Sequence, residues 1–413
     1  MSPPSIPKFS DLPIDKDGPM LNAWGLYGKD DELGFLNRLT DDVVKEAAAE
    51  IKTGTRISLN WPLDAQNDIP FFGRQVFHKH VYQKAPRIVH DDTWSFNTQS
   101  SSQWDGLRHF AYQKAQRFYN NVTVEQISGP NATNVNGIGA WTEQGIVGRG
   151  VLLDWYAWMQ EQGKPAHNAF EAGDIPLSDL KKVAEWEGVE FKFGDILIIR
   201  SGYMAQYAEK SRDELSALSK AMPPSFFGVE QSEEVLQWIW ENFSAVAGDQ
   251  PSFERWPSKQ DYMMHEVLLA GWGCTIGELF DLEKLSQQCK KNALPRPPHP
   301  SRGTSAPASS AAVTTTARRI SGLTLTSPPD RRPRLDNHFA ITNSTVRIGS
   351  RARRQHALFH VRAEAQARYI GRQTPSVGQL VPPPDLRLTV LAHALRHGMY
   401  SDEGAAGERG GVL

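Results

Sequence analysis

Apolar and polar positions alternate in two distinct ways along the first 290 residues. Helical spacing appears at Leu39–Ile51, Leu177–Glu187, Ser232–Asn242 and Asp281–Lys290. Thr40 suits the N-cap of the first segment, Asp41 and Asp42 suit its positive dipole end, and Gly54 suits its stop. Ser178 is the candidate cap of the second. Arg56–Leu63 (RISLNWPL) alternates with period two and reads as a strand, and Gln75–Tyr82 (QVFHKHVY), Gly148–Asp154 and Ser244–Ala247 also read as strands. The nearly all-apolar run Asp195–Ser201 (DILIIRS) predicts a strand buried on both faces. Val122–Ile127 reads as a short helix, and Tyr262–Ala270 (YMMHEVLLA) fits helix and strand equally well. Helices and strands interleave without a simple βαβ repeat. That order predicts an α/β domain with a mixed β-sheet core and flanking helices.

The pattern stops after Lys291, and composition changes with it. Residues 1–290 carry 27 Lys and Arg against 40 Asp and Glu, a net of −13. Residues 291–413 carry 18 against 7, a net of +11, and only one of those 18 is Lys. All 12 Trp precede Lys290. Three segments follow: an extended Pro-rich arm (1–20), a domain (21–290) and a basic tail (291–413). Three readings of the tail follow, of which the artefact is favoured, and no nucleic-acid or membrane partner is expected. It has too little apolar surface to offset ordering entropy, which predicts disorder. Its charge fits a basic arm for nucleic acid or acidic lipid. Its loss of Lys and Trp with gain of Arg, Pro and Ala also fits a gene-model artefact, a GC-rich gene read out of frame or through an intron. No closing strand is evident in it.

Several classes are excluded by simple features. No apolar run reaches the roughly 18 residues of a membrane span. The Pro-rich start has no apolar core of a secretion signal. Cys274 and Cys289 are too few for a disulfide framework or a Cys-rich zinc site, so a reducing cytosol is the expected compartment. The acidic body argues against nucleic acid as its ligand. Gly137 and Gly139 begin a dinucleotide-loop pattern that fails at Thr142.

Candidate chemistry concentrates in Asn97–Gln113 (NTQSSSQWDGLRHFAYQ), which gathers Gln99, Gln103, Asp105, Arg108 and His109. Asp105 and His109 are four apart and share a face if the segment is helical. A carboxylate beside an imidazole can orient it, raise its basicity or share a metal with it. A second stretch, Met264–Leu282, holds His265 in an apolar run and Glu278 after a Gly-rich turn. Asp249 follows a strand and so falls where α/β sheets place sites, or it makes an Asx-turn before Pro251. His78 and His80 share a strand face without a nearby acidic partner.

These stretches, together with Ala23–Asn37 (AWGLYGKDDELGFLN), ISLNWPL, GRGVLLD, Phe193–Tyr203 (FGDILIIRSGY), AGDQPS and His265–Glu283 (HEVLLAGWGCTIGELFDLE), carry a resemblance. From Ala23 to Lys290 the chain resembles the cyclase family of metal-dependent hydrolases, which includes bacterial-type kynurenine formamidase and isatin hydrolase, and in particular its longer fungal members. The resemblance implies a swivelling β/β/α fold and a homo-oligomer. The family motif is His-x-Gly-Thr-His-x-Asp-x-Pro-x-His. It puts a metal ligand at Asp105 and a catalytic acid/base at His109, with His265 and Glu278 completing the metal site. Gln99 and Gln103 stand where the family has its first two His, and Ser101 stands for its Gly.

A neutral amide oxygen is a poorer zinc ligand than imidazole. The implied cofactor is therefore one divalent ion on Asp105, His265 and Glu278, with Mn²⁺ or Mg²⁺ favoured over Zn²⁺. Gln99 and Gln103 would contact substrate or metal-bound water. Trp24, Trp61, Phe71, Phe72 and Trp104 are candidate walls for an aromatic amide, or plain core. The implied activity is amide hydrolysis, arylformamidase being the nearest named case, with secondary-metabolite cyclisation as the alternative. A metal-free binding protein of the same fold is the rival from another class.

Overall fold

The computed structural model of the chain describes residues 5–292 and the strand at 310–315. In chain order the strands are β1 (His78–Gln83), β2 (His90–Ser95), β3 (Gln103–Asp105), β4 (Arg117–Phe118), β5 (Val122–Thr123), β6 (Ile146–Leu153), β7 (Gly173–Ile175), β8 (Asp195–Ile199), β9 (Phe227–Val229), β10 (Phe243–Gly248), β11 (Ile276–Glu278) and β12 (Ser310–Thr315). The helices are α1 (Asp41–Ala48), α2 (Val124–Ile127), α3 (Gly139–Gln144), α4 (Trp155–Glu161), α5 (Leu177–Glu187), α6 (Tyr203–Glu209), α7 (Arg212–Lys220), α8 (Glu233–Asn242) and α9 (Glu283–Asn292).

The main sheet has six strands in the order β12-β6-β8-β10-β11-β3. Strands β6, β8, β10 and β11 are parallel, while β3 and β12 are antiparallel to their neighbours. This is the mixed α/β architecture that the pattern predicts. Strand β8 is buried at every position, as an apolar run without alternation requires. The parallel strands all end at one side of the sheet. There Arg200 follows β8 and binds Asp154 at 2.8 Å and Glu283 at 2.8 Å, joining the ends of β6 and β8 to α9. A second cluster of buried side chains, Phe71, Phe170, Tyr203, Phe226 and Leu279 among them, lies apart from the main core.

Local chemistry accounts for several helix ends. The Thr40 hydroxyl accepts from the Val43 N–H, capping α1. Ser232 caps α8 in the same way through Val235. Helix α5 spans Leu177–Glu187 as predicted and stops at Gly188, which takes the left-handed conformation (φ 68°). Its N-cap position is Pro176, not Ser178, and no side chain bonds there.

Other expectations change as well. Arg56–Leu63 is not a strand, because its backbone partners are side chains and a loop: Trp61 N–H donates to Ser102 Oγ, and Leu59 O accepts from Asp281 N–H. Tyr262–Ala270 resolves into a π-helical turn, Glu266–Gly271, that starts just after His265. Beyond Lys291, where the pattern shows no closing strand, SAAVTT forms β12 and pairs with β6 from Ser310↔Val151 to Thr315↔Ile146. The free edge of β6 supplies the template, and β-branched Val313, Thr314 and Thr315 suit an extended chain. The remaining expectations for the tail lie outside the described residues.

Two sequence stretches meet on that π-helical turn. Trp24 Nε1 donates to Ala270 O at 2.7 Å, and Ala23 N–H donates to Gly271 O at 3.0 Å. Phe35 stacks on Trp272, and its N–H donates to Gly273 O at 3.0 Å. Gly34 and Gly273 both hold positive φ, and a Cβ on Gly34 would fall 2.3 Å from Gly273 O. The Ala23–Asn37 stretch thus fixes the segment that carries His265.

Candidate active site

The site is built where β11 ends and β3 begins. Gln103 stands opposite Glu278 in register, and Asp105 opposite Ile276. Alternation along β3 puts Gln103 and Asp105 on one face and Trp104 on the other, against Phe280. His265 reaches the same point from the segment before the π-helical turn. One ligand-type atom from each of Asp105, His265 and Glu278 lies within 4.8 Å of the others, and all three residues are buried. His265 Nε2 is 3.2 Å from Glu278 Oε1 and 3.5 Å from Asp105 Oδ2.

His109 joins them without a helix. The chain turns after β3, with His109 N–H donating to Gly106 O at 2.9 Å. The turn brings His109 Nε2 to 3.9 Å from Asp105 Oδ2, with 32% of the His109 side chain exposed. The four-residue spacing holds, but a tight turn produces it.

Partners fix each group. Gln99 Nε2 donates to Asp105 Oδ1 at 2.6 Å. Gln103 Nε2 donates to Gln99 Oε1 and Glu278 Oε2, each at 3.0 Å. Phe253 N–H donates to Glu278 Oε1 at 2.9 Å. On the far side of the imidazole, His265 Nδ1 is 2.6 Å from Glu254 Oε2. Ser101 Oγ donates to Trp61 O at 2.8 Å, tying β3 to the RISLNWPL segment.

Charge is unevenly shared. Burial alone would raise the Asp105 carboxyl, but His265, His109 and Gln99 outweigh it and hold it below the ordinary range. Burial and the Asp105 charge push Glu278 up to about 7. Burial opposes charge on His265, yet Glu254, Asp105 and Glu278 together hold it well above its usual value. Burial holds His109 below its usual value, opposed by Asp105 and aided by His265 and Arg74.

The donor set fits a divalent cation. Asp105 is fully buried, and its Oδ2 has no hydrogen-bond partner. Gln103 Oε1 is likewise buried and unpartnered. Buried acceptors are ordinarily satisfied, so these two, with Asp105 Oδ2 facing His265 Nε2 at 3.5 Å and His109 Nε2 at 3.9 Å, leave acceptor capacity that a cation could use.

The other sequence candidates fall elsewhere. Asp249 accepts from Ser201 N–H at 2.6 Å, Ser201 Oγ at 2.8 Å and Gly202 N–H at 3.0 Å, fixing the start of α6. Trp24 is in the main core, and Trp61 rests edge-on against Tyr207 in the second cluster. Phe71 is buried in that cluster and Phe72 packs on it. Arg108 donates to Val135 O and Thr133 O. His78 and His80 lie on the exposed β1–β2 hairpin.

The family model described as "Putative cyclase" matches residues 46–255. The chain belongs to the cyclase family. A solved structure of a novel cyclase is similar over 65% of this chain and 90% of its own, with 26% identity and a TM-score of 0.57. Isatin hydrolase A from Ralstonia solanacearum aligns with 66% of this chain and 95% of its own, at 13% identity and a TM-score of 0.40. Isatin hydrolase A from Labrenzia aggregata, solved with benzyl benzoate, aligns with 57% and 85%, at 13% identity and 0.38. No curated protein sequence matches.

In this cyclase-family chain, two residues at the site escaped sequence reasoning. Glu254 lies just past the AGDQPS stretch and shows no spacing that ties it to His265. Arg74 precedes the hairpin, and its guanidinium donates to Gln99 O. No local pattern marks it, because a long loop brings it to the site. Among the described residues no helix is long and apolar enough to cross a membrane.

Proposed function

We propose that this cyclase-family protein is a metal-dependent amide hydrolase, with Asp105, His265 and Glu278 holding one divalent ion. The fully buried Asp105 Oδ2, which accepts no hydrogen bond and lies 3.5 Å from His265 Nε2, carries this reading. A bound ion would acidify a water molecule and polarise a carbonyl. Glu254 holds the His265 ring so that Nε2 faces the two carboxylates. His109, which burial holds below its usual value, can take a proton from water and return it to the leaving amine. Gln99 and Gln103 hold the carboxylates through their amide N–H groups and leave Gln103 Oε1 as a further acceptor. The oxygen-rich set favours Mn²⁺ or Mg²⁺ over Zn²⁺.

The substrate we assign is an aromatic amide, with N-formyl-L-kynurenine as the first compound to test. The second cluster, with Trp61, Phe72 and Tyr207 at its margin, offers aromatic contacts. Formate release by the Mn²⁺-loaded full chain is the test. Turnover that falls at least about a hundredfold in His109→Asn supports the reading. Equal turnover in the variant contradicts it. A second reading, a metal-free binding protein, has one observation behind it: the two Gln amides and His265 already engage both carboxylates.

A further inference from the structure

His109 and His265 lie on segments far apart in the chain, and one buried carboxylate holds both segments. Glu266 directly follows His265 and is buried. Its Oε1 accepts the Met263 N–H at 3.0 Å, within its own segment. Its Oε2 accepts the Gln113 N–H at 2.9 Å, four residues past His109. Glu266 stands outside the Asp105, His265 and Glu278 cluster, and no step of the hydrolysis uses it.

The same two segments meet at two further points. The Phe110 ring packs on the His265 ring, with centroids 5.4 Å apart. The Tyr112 hydroxyl donates to Met20 O at 2.7 Å and lies against Gly271, where a Cβ would fall 2.4 Å from it. Gly271 is the last residue of the π-helical turn that Glu266 begins. Residues 110–113 are therefore seated on the turn at both of its ends. With this seating the His109 ring centroid is 6.4 Å from that of His265, and His109 Nε2 is 3.9 Å from Asp105 Oδ2. Single π-helical turns recur at functional sites, and here a candidate ligand precedes the turn while the acid/base segment rests on it.

We propose that Glu266 is a positioning residue that sets the acid/base His109 in register with the ligand His265. This deepens the amide-hydrolase reading and rests on it for turnover, but not for the placement of His109. A carboxylate accepts at both oxygens, and Glu266 gives one oxygen to each segment. A carboxamide of the same shape has one accepting oxygen and turns its NH₂ toward the second N–H. Glu266→Gln therefore keeps the volume and frees one of the two segments. Displacement of an acid/base by about 1 Å can cost roughly a hundredfold in rate. The metal ligands keep their own partners, because Gln99 donates to Asp105, Phe253 donates to Glu278, and Glu254 holds His265. Loss of Glu266 should thus reach the proton transfer and spare the metal.

The test measures N-formyl-L-kynurenine turnover, Mn²⁺ affinity and amide hydrogen exchange in the full chain. Glu266→Gln, and Glu266→Ala with no acceptor at all, should lower kcat by about tenfold or more, with KM and calorimetric Mn²⁺ affinity within about twofold of wild type. Glu266→Asp keeps both acceptors on a shorter arm and should recover part of kcat. Exchange followed by mass spectrometry should be faster in the peptide that holds Gln113 and unchanged in β3. A kcat equal to wild type in both Glu266→Gln and Glu266→Ala, or an Mn²⁺ affinity that falls as far as kcat, overturns the proposal. If wild type releases no formate, the hydrolase reading fails, and two measurements without turnover decide. Faster exchange at Gln113 with a changed rate of His109 carbethoxylation by diethyl pyrocarbonate then supports the proposal, and a carbethoxylation rate equal to wild type overturns it. Circular dichroism establishes that each variant is folded, and Tyr112→Phe, which frees the same segment at its other contact, replaces any that is not.

Discussion

His265 Nδ1 lies 2.6 Å from Glu254 Oε2, and the same carboxylate's Oε1 accepts the His265 backbone N–H at 3.1 Å. One residue therefore fixes both the ring and the chain segment that carries it. Orienting carboxylates of this kind are worth roughly 10–100-fold in metal affinity elsewhere. Glu254→Gln should weaken Mn²⁺ binding by about that factor in a calorimetric titration. Unchanged affinity would mean that Glu254 serves only the fold.

Gln103 offers a direct test of metal preference. Its Nε2 donates to Glu278 Oε2 beside the Asp105, His265 and Glu278 cluster, and its buried Oε1 accepts no hydrogen bond. Gln103→His adds a nitrogen donor, which suits Zn²⁺ better than Mn²⁺. Zn²⁺ affinity should rise at least about tenfold in a competition titration, with a smaller change for Mn²⁺. Equal gains for both ions would place Gln103 outside the coordination sphere.

Buried charge at the strand ends governs stability. Arg200 is buried between Asp154 and Glu283. Arg200→Ala leaves buried Asp154 without its cation, a loss of roughly 3–5 kcal/mol. Urea unfolding should report a lower midpoint with little change of slope. A loss below about 1 kcal/mol would show that water replaces the pair.

Asp249 sets a pH dependence of opposite sign to that of an ordinary salt-bridged carboxylate. Burial pushes it from 3.8 up to about 6, against the Arg200 charge and the Ser201 hydrogen bonds. The folded state therefore holds its proton more tightly than the unfolded chain does. Its contribution is fully present below about pH 4 and is lost as pH rises through 6, on the order of 3 kcal/mol. Asp249→Asn should flatten the pH 4–7 stability profile by that amount relative to wild type. Parallel profiles would contradict the assignment.

Much of the fold is legible in the sequence where the signal is local. Thr40, Gly188 and the run DILII mark element ends and a buried strand through backbone chemistry that acts within a few residues. β3 is only three residues long and lies among serines, and its partner β11 is far away in the chain. Its existence depends on that pairing, which no periodicity reports. SAAVTT reads as low-complexity sequence and becomes a strand against the free edge of β6.

The candidate site divides in the same way. The resemblance supplies Asp105, His109, His265 and Glu278, and the structure brings all four together. Spacing alone would have set Asp105 and His109 on a helix, whereas Gly106 makes a turn. Trp104 has the right composition for a substrate wall, but strand alternation turns it to the core. Arg74 and Glu254 are invisible in sequence because their roles exist only through contacts across loops.

Metal content tests the central claim most directly. The full chain, purified without chelator and then loaded with Mn²⁺, should hold about one divalent ion per chain by elemental analysis, and His265→Ala should remove it. Sub-stoichiometric metal after loading with Mn²⁺ and Zn²⁺, with no effect of His265→Ala, would contradict the account.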